Sequence, residues 1–469
     1  MTREHRRWIL VGAIGLIGLV GRVAWAQDAA TSATSSGDTA WLLTASALVM
    51  LMTAPGLALF YGGLVSQRNV LSTLMHSFFT LCLISVQWVV LGYSLSFGPD
   101  LEGIIGRLAH LGLRGIGEKP VAEMSVPPLA FVMFQGMFAV ITVALITGTF
   151  VERIRFTAFL LFAFLWATLV YAPLAHWVWG GGWLMKLGAL DFAGGTVVHI
   201  SSGVSALVAS LIIGRRAGYP EKVLPPHNVP MTIMGAALLW FGWFGFNAGS
   251  ALAANSLAAI AFTTTHAAAA MAGLTWAFTE WLHRGKPTVL GTATGAVAGL
   301  VAITPASGYV SAIAALVIGG GAGLVGYWGI NVLKPRLGYD DSLDVFGVHG
   351  LCGTWGALAT GLFASRAVNP MGADGAFFGN LGQLLVQLIG VLATWVLAAG
   401  MTFLILKLIA FFTPLRVTEE EEIAGLDLAL HGEVAYNFLS PGMGGSVRLP
   451  SRAEAALGSA QAEEPSPGD

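Results

Sequence analysis

DFAGGTVVHISSGVSALVASLII (residues 191–213) and DVFGVHGLCGTWGALATGLF (residues 344–363) read as distorted copies of one segment. Each opens on an acidic residue and a glycine-rich bend. Each then places one histidine, His199 or His349, at the head of an apolar run free of Lys, Arg, Asp and Glu. Ionisable side chains in such runs are expensive and mark functional sites. Two of them at matched places suggest one shared site.

The rest of the chain supports a membrane setting for that site. Its 469 residues are 55% hydrophobic and only 10% charged, with a mean hydropathy of +0.74. That composition describes an integral membrane protein built from apolar helices. A net charge of -2 gives no reason to invoke nucleic acid. Cys82 and Cys352 lie inside apolar segments, so they imply no disulfide framework and read as small buried hydrophobes. At the N-terminus a basic stretch, MTREHRRW, precedes the apolar ILVGAIGLIGLVG and the small-residue site Ala24-Trp25-Ala26. This is the pattern of a cleaved signal peptide over residues 1–26. It predicts export and a mature N-terminus outside the cytoplasm.

Eleven apolar runs of spanning length follow within residues 27–412. They begin near Trp41, Val70, Pro128, Phe156, Thr196, Pro230, Ser256, Thr288, Tyr309, Val345 and Gly379. With the N-terminus outside, the cytoplasmic loops hold Arg68, Arg153, Arg155, Arg215, Arg216, Lys222, Arg284, Lys286, Lys334 and Arg336. The opposite loops hold Arg107, Arg114, Lys119, Lys186 and Arg366. Ten basic residues against five agree with the positive-inside rule. An odd number of helices then leaves the tail inside.

The two histidine segments are the fifth and tenth spans. Five helices per half is odd, so the halves run in opposite orientation, with one helix left over. That is the inverted-repeat plan, with its site at the midplane between repeats. Each histidine stands fourteen residues from the end of its run. At 1.5 Å per residue this is about 21 Å of helix, so in a core about 30 Å thick each lies roughly 6 Å from the midplane, on opposite sides. They meet only if both helices start deep in the membrane. The bends at Gly194-Gly195 and Gly347/Gly350 are expected to allow that, because irregular backbone is tolerated there only where it is buried or lines a cavity. Gly291, Gly295 and Gly299, and likewise Gly319, Gly323 and Gly326, form small-residue ridges for helix packing.

A histidine pair in an apolar lumen can ligate a metal, shuttle a proton or hydrogen-bond a small polar substrate. His349 and Cys352 could share a helix face, but no embedded carboxylate and no HExxH helix joins them, which disfavours a metal. Asp191 precedes the fifth span and reads as a helix cap. Asp344 takes the symmetry-related place on the other side. His76 and His266 have no matched partner and read as structural.

FGWFGFNAGS (residues 241–250), together with DFAGGTVVHI, DVFGVHG and VERIRF, resembles the ammonium transporter (Amt/Mep/Rhesus) family. The resemblance runs in order from PGLALFYGG (residues 55–63) through HWVWGGG (176–182) to HGEVAY (431–436). It implies an all-α homotrimer of eleven-helix subunits, each a pore, and no enzymatic activity or cofactor. By the same resemblance, Phe138, Trp179 and Ser250 would recruit ammonium in an outer vestibule, where ring quadrupoles stabilise a cation. Phe138 and Phe246 would form a gate at which ammonium loses its proton. That loss removes the cost of burying charge and discriminates against potassium. His199 and His349 would line the lumen for ammonia and relay a proton. Asp191, and by symmetry Asp344, would support the site structurally. Methylammonium is the expected analogue. Trp179 and Ser250 fit the bacterial branch better than the Rhesus branch.

The polar tail covers residues 413–469. LRVTEEEEIAGLDLALHGEVAY (residues 415–436) resembles the ordered cytosolic tail of the family, which contributes to docking PII-type signal proteins. Glu419 to Glu422 alone read as a solvated helix face. The remainder, rich in Gly, Ser, Pro and Ala, reads as disordered. The sequence therefore predicts a multi-pass ammonium transporter of the bacterial inner membrane. A sensor lacking appreciable flux and a membrane metalloenzyme are the competing classes.

Overall fold

The computed structural model describes residues 34–117, 124–221 and 225–436. The predicted signal peptide and the tail beyond Tyr436 lie outside the described residues. Among the described residues, eleven apolar helices form one bundle: α1 (Ser36–Leu64), α2 (Val70–Phe97), α3 (Pro128–Phe150), α4 (Phe156–Leu187), α5 (Gly195–Ile213), α6 (Val229–Ala248), α7 (Ser256–Arg284), α8 (Val289–Ile303), α9 (Ala312–Leu337), α10 (345–363) and α11 (Leu381–Phe412). Nine have the length and hydropathy of a membrane span, while α8 and α10 are shorter or more polar. Strands β1 (Asp100–Leu101) and β2 (Ile105–Gly106) form a small hairpin after α2.

Helix starts follow their caps more closely than their apolar runs. α1 begins at Ser36 rather than near Trp41 because Ser35 accepts a hydrogen bond from Asp38 N at 3.2 Å. α9 begins at Ala312 because Ser311 caps it. α1 is interrupted where Ala54 leaves the helical region ahead of Pro55, which has no N–H to continue the ladder. α3 is buried along almost its whole length, as an uninterrupted apolar sequence requires. Both predicted glycine ridges face α7. A methyl at Gly299 or Gly319 would strike Ala268 and its neighbours, and one at Gly295 would strike Trp276.

At the end of the bundle bearing Arg68, Arg153, Arg155 and Arg216, the tail is tied to the helices. Glu419–Ala424 forms a short helix, α12, under a capping box of Thr418 and Glu421. The acidic run is not uniformly solvated. Glu422 is buried, accepts from Ala217 N at 2.7 Å and pairs with Arg416 at 2.6 Å. Further on, Asp427 Oδ1 accepts from Ser72 N at 2.7 Å, capping the first turn of α2, while Leu426 N donates to Asn69 Oδ1 at 2.7 Å. Beside them, Arg216 bridges Glu152 and Asp340, each at 2.8 Å. Cys352 is buried, whereas Cys82 lies on the outer face of the bundle.

Candidate functional site

α5 and α10 cross at the centre of the bundle, and the crossing brings the two histidines together. His349 Nδ1 and His199 Nδ1 are 3.2 Å apart, a hydrogen bond that carries one shared proton. The rings stack at 5.3 Å with 22° between planes. Both side chains are buried, and His199 Nε2 has no hydrogen-bond partner among the described residues. A void of about 10 Å³ beside them, lined by Ile141, Leu239, Trp243 and Phe246, has room for about one water-sized molecule.

The glycines reach this arrangement in two different ways. Gly194 has φ +109° and turns the chain into α5, as expected of a bend. Gly347 and Gly350 do not bend the chain, because both lie inside helical turns of α10. Their role is proximity. A methyl on Gly203 of α5 would sit 2.1 Å from Gly350 N, and one on Gly353 would sit 3.1 Å from His199 Cβ. Gly203→Ala therefore has to push the two histidine helices apart. It is expected to cost at least about 1–3 kcal/mol, read as a lower thermal unfolding midpoint in detergent. An unchanged midpoint would show that the crossing can absorb the methyl.

The structure also corrects the acidic pairing. Asp191 Oδ1 accepts from Gly194 N at 2.8 Å and Gly195 N at 2.6 Å, and Oδ2 accepts from Thr196 N at 2.7 Å and from the Thr196 hydroxyl. The counterpart in the second half is Asp341, not Asp344. Asp341 is fully buried and its Oδ2 accepts from Phe346 N at 2.7 Å, five residues on, as Asp191 does from Thr196. Asp191 and Asp341 each stand eight residues before their histidine, a spacing visible in the sequence. Asp344 has a positive φ of 61° and pairs with Lys334 at 2.6 Å at the rim.

Above the histidines, Phe138 and Phe246 stack with centroids 4.1 Å apart and 19° between planes. Above these rings opens a cavity of about 430 Å³ lined by Phe131, Gln135, Phe138, Trp179, Asp191 and Ser250, among others. Trp179 meets Phe138 edge to face at 5.9 Å, and its indole N–H donates to Asp191 O at 3.0 Å. Ser250 Oγ donates to Phe246 O at 2.9 Å, which leaves its lone pairs free to accept. Phe131 and Gln135 were not anticipated, although they stand seven and three residues before Phe138 on the same face of α3. Gln135 Oε1 is buried without a partner among the described residues. Such a cavity suits a small cation that donates hydrogen bonds.

His76 packs at 4.5 Å on Phe159, and His266 at 5.4 Å on Trp240, so neither joins the pair. Cys352 Sγ points to the backbone oxygens of Gly347 and Ala322, at 3.5 and 3.6 Å, rather than to His349. Among the described residues no three His, Cys, Asp or Glu side chains converge as a metal site.

Known proteins share this architecture. Residues 40–436 match the Ammonium Transporter Family. The chain is 53% identical over 401 residues to an ammonium transporter of Bacillus subtilis, covering 85% of this chain and 98% of that one. Among solved structures, Mep2 of Candida albicans superposes with a TM-score of 0.78 at 37% identity, covering 83% of this chain and 88% of the other. A structure named Sensor Amt Protein does so with 0.79 at 29% identity, covering 84% and 98%. With the motifs in order along the whole membrane domain, the chain belongs to the ammonium transporter family.

Proposed function

We propose that the protein recruits ammonium from outside the cell, strips its proton at the Phe138–Phe246 stack and passes ammonia along the His199–His349 lumen. The observation that carries this is the vertical order of three environments. A cavity with aromatic faces and a free serine oxygen lies over a closed aromatic stack, which lies over a buried histidine pair. A cation gains from ring faces and an acceptor in the cavity. Beyond the stack its charge would be buried at large cost, whereas neutral ammonia would not meet that cost. The histidines offer a donor and an acceptor to ammonia, and a relay for the proton.

Four hydrogen bonds already occupy the Asp191 carboxylate, which supports a structural role over direct contact with the cation. The positive-inside count supports an inner-membrane protein with its N-terminus outside and its tail inside, where a PII-type protein would dock. Assembly as a homotrimer with one pore per subunit completes the proposal. Identity of 53% to a relative named a transporter, against 29% to the structure named a sensor, favours flux over sensing alone.

Methylammonium uptake into proteoliposomes with simultaneous current recording tests this. Flux is expected, and its absence would leave the sensor class. An electrically silent flux would sink separate proton transfer through the pair. Ser250→Leu is expected to raise the half-saturation constant about tenfold or more, the value of one hydrogen bond to a charged group, with the fold intact. Normal apparent affinity in that variant would remove Ser250 from recruitment.

A further inference from the structure

The last helix stands outside the two five-helix halves, yet it holds a loop that lines the vestibule. Gln387 is buried in the second turn of α11. Its Oε1 accepts from Leu190 N at 2.8 Å, and its Nε2 donates to Leu190 O at 2.7 Å and to Ala357 O of α10 at 3.1 Å. Gln383, one turn earlier, donates to Gln387 Oε1 at 3.3 Å and to Gly188 O at 3.0 Å. Every donor and acceptor of the Gln387 amide is therefore used. Leu190 immediately precedes Asp191, whose carbonyl fixes the Trp179 indole and whose carboxylate caps α5.

We propose that Gln387, oriented by Gln383, is a positioning residue for cation recruitment: it clamps the Leu190 peptide and so sets the place of Trp179 over the vestibule. The other half of the molecule sharpens the point. There the residue before the capping carboxylate is Asp340, and guanidinium groups hold it. Arg153 Nη2 donates to Asp340 O at 2.6 Å, and Arg216 clasps the Asp340 carboxylate. A fixed positive charge at the matching outer position would repel the cation being recruited, and it would do so strongly where water is excluded. A neutral amide donates to the backbone oxygen of Leu190 as Arg153 does to that of Asp340, also accepts from Leu190 N as a guanidinium could not, and brings no charge. The eleventh helix thus gives the outer site a clamp that the cationic device of the inner half could not provide.

This inference rests on the recruitment role of Trp179 and Ser250, and the test separates the two. Methylammonium uptake by the full-length protein in proteoliposomes is compared for wild type, Ser250→Leu, Gln387→Met and Thr394→Ala. Thr394 is a buried control on α11 whose hydroxyl donates to Gly390 O of its own helix. Gln387→Met keeps the length and packing of the side chain. It is expected to raise the half-saturation constant about tenfold, the size of one partly desolvated cation–aromatic contact, while the maximal rate stays close to wild type. Thr394→Ala should change neither quantity. A rise in Ser250→Leu with no change in Gln387→Met would overturn the positioning role and leave the recruitment site standing. No rise in Ser250→Leu would overturn the recruitment site, and the positioning role with it. A lower maximal rate at unchanged half-saturation in Gln387→Met would assign Gln387 to packing alone. If Gln387→Met does not assemble, Gln383→Met carries the test, since it removes the donor that orients the Gln387 amide and so loosens its hold on Leu190. A smaller rise in half-saturation supports the clamp, and an unchanged constant overturns it.

Discussion

Asp191→Ala is expected to lose most of the folded protein. The substitution leaves the buried N–H groups of Gly194, Gly195 and Thr196 and the Thr196 hydroxyl without their acceptor. A buried donor stripped of its partner costs about 1–3 kcal/mol. Three amides alone then cost roughly 3–9 kcal/mol, against a total stability of about 5–15 kcal/mol for a typical protein. Asp191→Asn should be milder, because one oxygen remains to accept while the new NH2 group faces donors. Thermal unfolding in detergent reads both. If Asp191→Ala melts at the wild-type temperature, the carboxylate is not what holds the start of α5. If Asp191→Asn raises half-saturation without lowering the melting point, the carboxylate touches the cation after all.

Arg216→Met carries the second large effect. Arg216 lies between the partly buried carboxylate of Glu152 and the fully buried one of Asp340 and joins loops of the two halves. Removing one partner of a buried ion pair typically costs about 3–5 kcal/mol. Burial alone would push the Asp340 carboxyl up, but the hydrogen bonds and charge of Arg216 outweigh it and hold the group below the usual carboxylate range. Glu152 behaves the same way. Burial is opposed by the charge of Arg216 and by hydrogen bonds from Ser66 N and Asn69. Carboxyls depressed in the folded state stabilise it above their unfolded pKa, about 4, and that stability is lost as pH falls through the lower folded values. The gap between wild type and Arg216→Met should therefore be full at pH 7 and shrink below about pH 4. A gap independent of pH would mean that Arg216 contributes packing rather than charge.

The membrane class, the number of helices and the pairing of His199 with His349 were legible from the sequence. Long apolar runs and two lone histidines leave few alternatives. Helix length measured against membrane thickness also required late starts for α5 and α10 if the two histidines were to meet, and they do meet. The second acidic partner was misplaced because DVFGVHG draws attention to Asp344, whereas the matching eight-residue spacing points to Asp341. The stack of Phe138 on Phe246 was reached only through the family resemblance. No local pattern says that two rings more than a hundred residues apart will meet. Gln387 carried no signal at all. Its loop partner lies 197 residues away, and two glutamines one turn apart in an apolar helix do not name it.

Asp427 completes the first turn of α2 from 355 residues further along the chain. A ribosome makes α2 early and Asp427 near the end, so during synthesis the amides at the start of α2 must borrow water or another acceptor. The membrane bundle can assemble around them, but its second helix is finished only when the tail arrives. Release of the last residues is thus a chemical event for the first half of the protein, and a chain truncated before Asp427 would carry that unfinished helix end for its whole lifetime.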